Sequence, residues 1–114
     1  MDGMKPFRPA GDTFMVLGST PATGYVTRAG GPAAGEVTYR IHNPGAVDAW
    51  VGYGMTSAAA LANAVIPAVG SPQPSLPIPN GTVKVFTLSP LLFFCAVVAS
   101  GKAELTVTPG DGFD

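Results

Sequence analysis

The sequence is poor in charge, in cysteine and in long hydrophobic runs, and each shortage excludes something. Of 114 residues only six are Lys or Arg and seven are Asp or Glu, a net charge of −1, where an average soluble domain is about a quarter charged. Six scattered cations make no basic footprint, so no nucleic-acid partner is expected. The longest uninterrupted apolar run, residues 91–99, has nine members. That is half of what a helix needs to span a bilayer, so no membrane association is expected either. Residues 1–9 hold no apolar stretch of signal-peptide length. The single cysteine, Cys95, has no second cysteine with which to form an intramolecular disulfide, which suits synthesis in a reducing cytoplasm. It lies between Phe94 and Ala96, where burial makes a thiol inert.

Chemistry-bearing motifs are equally scarce. One histidine, one cysteine and seven scattered carboxylates offer no metal-ligand spacing. Gly30-Gly31-Pro32-Ala33-Ala34-Gly35 is not followed by Lys-Ser or Lys-Thr, so it is no phosphate-binding loop. His42 would need Asp48 across a short turn and a positioned nucleophile, and no Gly-x-Ser-x-Gly elbow exists. A surface histidine at a strand end is the better reading. We therefore expect neither an enzyme nor a cofactor.

What is abundant is apolar residues, at 46%, together with 15 Gly and 12 Pro. The length is that of one domain, and folding at this size buries roughly 65% of the unfolded surface. Too much of the chain is apolar for intrinsic disorder. The glycines and prolines punctuate short β-prone stretches. Glu36-Val37-Thr38-Tyr39-Arg40-Ile41-His42 alternates best, with Val37, Tyr39 and Ile41 on one face. Asn43-Pro44-Gly45 follows as a turn, and residues 37–54 read as a hairpin around it. The glycines of Ala49-Trp50-Val51-Gly52-Tyr53-Gly54 point to a bend or a close backbone approach. Leu76-Pro77-Ile78-Pro79 fits only a sheet edge. Residues 91–99 are apolar on both faces, as in a central strand. In Lys102-Ala103-Glu104-Leu105-Thr106-Val107-Thr108, Ala103, Leu105 and Val107 share a face, and Pro109-Gly110-Asp111-Gly112 then ends the domain.

Residues 56–69 form the one helical candidate, with Ser57 as cap and Pro67 closing it; the alternative is an irregular crossing loop. The expected fold is all-β: a jelly-roll-like β-sandwich of about eight short strands at roughly 8–12-residue spacing. It carries at most one short helical turn and an extended N-terminal arm over residues 1–12, with the sandwich over 13–114. The arm is either a frayed terminus or a segment that orders on a neighbouring subunit with Phe7 as anchor. Trp50 and Tyr53 either fill the core or form a sugar-stacking platform.

The charge that is present is unevenly spread. Residues 49–83, 35 positions, carry none, and neither do residues 85–101, another 17. A solvated surface normally intersperses charges. Either these are loops made polar by Ser, Asn and backbone alone, or a partner covers them.

Several segments together resemble a known family. They are Arg40-Ile41-His42-Asn43-Pro44, Ala49-Trp50-Val51-Gly52-Tyr53-Gly54, Ile78-Pro79-Asn80-Gly81-Thr82-Val83-Lys84-Val85-Phe86-Thr87-Leu88, and the stretch from Ala99-Ser100-Gly101 to Leu105-Thr106-Val107-Thr108-Pro109-Gly110-Asp111-Gly112. Over residues 36–112 the chain is similar to small structural proteins of tailed bacteriophage heads, of the capsid decoration or cement type. The resemblance implies a jelly-roll-like sandwich on the outside of an icosahedral virion. There it would bridge copies of the major capsid protein, as a dimer or trimer made in the bacterial host cytoplasm, with no catalytic residues. On that reading the contacts fall to Phe7, Arg8, Arg28, Arg40, Leu61, Val65, Ile66, Leu76 and Ile78, the arginines anchoring on an acidic capsid surface. The alternatives are a head–tail joining or minor tail protein with the same sandwich, and a carbohydrate-binding sandwich.

Overall fold

A computed structural model of the chain describes residues 8–19, 26–31 and 36–111. Nine strands and one helix lie within them: β1 Arg8–Pro9, β2 Phe14–Ser19, β3 Thr27–Arg28, β4 Val37–Asn43, β5 Ala49–Gly54, α1 Ser57–Asn63, β6 Leu76–Ile78, β7 Thr82–Leu88, β8 Phe93–Val98 and β9 Ala103–Asp111. The fold is all-β. Its strands follow one hydrogen-bonded path, β6-β5-β8-β2-β9-β4-β7, with β1 beside β9 and β3 beside β8. The path curls into a barrel-like sandwich that is nearly closed. One layer is β6-β5-β8 and the other is β9-β4-β7. β2 joins them by pairing antiparallel with β9 and, at Gly18↔Ala96 and Ser19↔Val97, parallel with β8.

Alternation places the core between the layers as the sequence leads one to expect. Val37, Tyr39 and Ile41 of β4 are fully buried, and Ala103, Leu105 and Val107 of the neighbouring strand β9 line the same interior beside them. From the opposite layer come Val51, Phe94, Ala96 and Val98. Tyr39 meets Phe94 edge-on, with ring centroids 4.9 Å apart and planes at 65°, the geometry that aromatic quadrupoles favour.

Three expectations are corrected. Residues 37–54 are not a hairpin, because both edges of β4 are already taken, by β7 from Val37↔Leu88 to Asn43↔Thr82 and by β9 from Thr38↔Gly110 to His42↔Thr106. The chain instead crosses at residues 44–48 to the other layer, where β5 pairs with β8 and β6. Pro109 and Gly110 do not end the domain; β9 runs through them, paired to Tyr39 and Thr38. The helix spans nearly two turns rather than one, and its cap is Thr56, whose hydroxyl accepts from Ala59 N at 3.1 Å. Residues 8–10 of the arm lie along β9: Arg8 and Pro9 pair with Asp111 and Gly110, and Ala10 N donates to Pro109 O at 2.9 Å. Residues 1–7, with Phe7, lie outside the described residues.

The two ends of the path, β6 and β7, are joined by the turn at residues 79–81, where Gly81 takes a left-handed φ of 70°. Asn43 seals this seam. It has no accessible surface. Its Nδ2 donates to Val47 O at 2.9 Å and to Ile78 O at 3.0 Å, while its Oδ1 accepts from Gly45 N at 3.0 Å. Its backbone carbonyl accepts from Gly81 N at 2.7 Å. Replacing Asn43 with Ala takes the partner from the buried Ile78 carbonyl and from the half-buried Val47 carbonyl and Gly45 amide, so N43A is expected to lower stability by about 2–3 kcal/mol in urea unfolding.

Burial pushes the Tyr39 phenol above its ordinary value of 10.0, opposed by backbone hydrogen bonds at Leu92 and Leu91. The hydroxyl also donates to Ser89 O at 2.8 Å. The unfolded chain therefore loses this proton first, and the stability Tyr39 contributes is full below about pH 10 and lost as pH rises through the folded value. Y39F is expected to flatten the decline of the urea midpoint above about pH 10 relative to the parent protein.

Candidate interaction surface

β8 is apolar on both faces, so the fold must cover its outside as well as its inside. Phe94, Ala96 and Val98 point into the main core, while Cys95 and Val97 form a second cluster with Ala60 and Ala64. The cover is α1. It lies directly on the backbone of β5, where a Cβ on Gly52 would overlap Ala64 N and sit 2.5 Å from Ala60 O, and one on Gly54 would sit 2.7 Å from Ala59 Cβ. These are the close approaches that the glycines of β5 signal in the sequence. Asn63 Nδ2 donates to Tyr53 O at 2.9 Å and Ser75 Oγ donates to Val65 O at 2.6 Å, tying the helix and the following segment to the sandwich.

Within α1 only Ala60 is buried, with Ala64 buried just past its end, while larger apolar side chains in and around the helix are exposed. Leu61 and Val65 are exposed, and Met55 and Val69 are 67% and 106% exposed. Pairing now brings the two charge-free stretches together. β5, α1 and β6 come from the first and β8 from the second, and all four adjoin. Among the described residues, the part of the sandwich built from these four elements therefore carries no charged side chain. At its margin Arg28 on β3 places its guanidinium 5.5 Å from the Phe93 ring centroid. At the start of β5, Asp48 Oδ1 accepts from Asn80 N and Nδ2.

The residues singled out in the sequence separate accordingly. Leu61 and Val65 lie exposed on the neutral flank, and Arg28 is exposed at its edge. Arg40 is exposed on the opposite layer, across from Val85 and Thr108. Ile66 is half-buried against the second cluster and Leu76 is half-buried against the main core. Ile78 is corrected: it has no accessible surface and packs in the main core. Although β6 is an edge strand, as its prolines require, that residue points inward. Arg8 lies in β1, but its side chain is outside the described set. Met55 and Val69 were missed; their only signal is position within the charge-free stretch.

Other constellations do not assemble. His42 stands opposite Val83 and Thr106, in a different layer from β5, while Asp48 is engaged with Asn80. Trp50 and Tyr53 are three residues apart on β5 and so take opposite faces. Trp50 packs on the second cluster outside and Tyr53 on the main core inside, so they form no common platform. Among the described residues no group of three His, Cys, Asp or Glu side chains could hold a metal.

The dependence of this flank on Gly52 is testable. G52A is expected to lift α1 from β5, costing about 1–3 kcal/mol in unfolding measurements and speeding modification of Cys95 by a thiol reagent.

No protein-family model, curated protein or solved structure matches the chain.

Proposed function

We propose that this chain is a capsid decoration, or cement, protein of a tailed bacteriophage, bound to the outside of the head and stabilising contacts between major capsid protein subunits. The observation that carries the reading is the continuous neutral flank built from β5, α1, β6 and β8. Burying a charged surface against a partner costs desolvation, whereas the side chains of alanine, valine and proline escape that cost. Its exposed Met55, Leu61, Val65 and Val69 supply apolar area for the contact. On this reading the exposed guanidinium of Arg28 at the margin pairs with a carboxylate on the shell. Many copies, each weakly bound, hold a shell together through avidity, the more so if the protein associates as a dimer or trimer.

Two measurements test this. Purified virions should contain the chain in a copy number comparable with the major capsid protein; absence from particles refutes the proposal, and a single small ring per particle favours the head–tail joining alternative. The double variant L61K/V65K should abolish binding to purified shells while leaving the urea midpoint nearly unchanged, since surface substitutions cost about 0.5 kcal/mol or less.

A further inference from the structure

Three turns meet at one end of the sandwich: residues 44–48 between β4 and β5, 79–81 between β6 and β7, and 99–102 between β8 and β9. They surround an open cavity of about 300 Å³ whose lining includes Val47, Asp48, Trp50, Asn80 and Ser100. That volume is at the small end of ligand sites. Trp50, the one tryptophan of the chain, is half-buried; it packs on the second cluster and also walls the cavity. Both Asn80 donors fall on one oxygen of Asp48, at 2.9 and 3.0 Å. Asp48 Oδ2, Ser100 Oγ and Trp50 Nε1 make no hydrogen bond among the described residues. The turn below is held through Val47 O by Asn43, so the polar groups are pre-positioned rather than recruited.

We propose that this end of the sandwich binds a neutral pyranose sugar, its C–H face against Trp50 and adjacent hydroxyls donating to Asp48. The aromatic wall matches the apolar face of the ring, and the open carboxylate oxygen accepts from hydroxyls more strongly than a neutral group does. Ser100 and Asn80 supply further polar contacts. Among the described residues Asp48 is the one charged member of the lining and no Lys or Arg joins it, which disfavours acidic sugars and phosphorylated ligands. No residue of α1 lines the cavity, although Trp50 packs on the cluster that holds Ala60, and sugar binding by the isolated chain is read without any shell, so its failure and that of the shell-binding reading are distinguishable.

The single tryptophan makes the test direct. The full chain is titrated with D-glucose, D-galactose and N-acetyl-D-glucosamine, with glycerol and N-acetylneuraminic acid as controls. Trp50 emission and amide NMR shifts are followed together. The expected result is a saturable response to at least one neutral pyranose, with shifts confined to residues 46–50, 80 and 99–100, and none with either control. D48N is expected to weaken that binding about tenfold and S100A severalfold. The proposal is overturned if no pyranose saturates at concentrations up to about 100 mM, if glycerol responds equally, or if both variants bind like the parent.

Discussion

Asn43 is the contact on which the rest of this structure depends. A curled sheet has two edges, and unless they are joined or covered each exposes a row of unpaired backbone groups. Here the edges are β6 and β7, brought together by the turn at residues 79–81. A single buried amide bridges the seam, giving both its hydrogens and one lone pair to three different backbone positions. Inside a low-dielectric interior such a fully satisfied group specifies one arrangement, because any slip leaves several polar atoms unpaired at once. The same bonds hold the 44–48 crossing, so the change of layer between β4 and β5 and the closure of the sandwich are one event.

Closure in turn dictates how β8 is covered. With β5 on one edge and β2 and β3 on the other, β8 stands in the middle of its layer and its outward side chains need a lid. The chain supplies it as a short alanine-rich helix pressed on two glycines. Small residues at the contact allow the backbones to approach, and the larger apolar side chains are thereby left on the outside. The neutral flank follows from packing: where the helix lies on Gly52 and Gly54 the small Ala60 and Ala64 are the residues buried, and Leu61 and Val65 remain exposed.

Much of the fold was legible in advance. Period-two alternation in residues 37–42 and 103–107, the two-faced apolar run at 91–99, and the prolines of β6 each led to the observed placement, because side-chain direction in a strand follows sequence position alone. The hairpin at 37–54 did not survive. A turn motif such as Asn-Pro-Gly marks where a strand stops without saying which strand comes next, and β4 had two better partners far along the chain. The same remoteness hid the end cavity, since Asp48, Asn80 and Ser100 come from three separate turns.

Composition and local pattern thus establish an all-β domain, its principal inward faces, and two long stretches without charge. They leave open which strands pair, whether the charge-free stretches share a surface, and that Ile78 is core while Leu61 and Val65 are not. These are long-range matters. Strand pairing is set by competition among backbone edges distant in sequence, and burial by which layer lands opposite. Asn43 shows the difference most plainly: read locally it is a turn residue, and in the folded chain it is the bond that closes the sandwich.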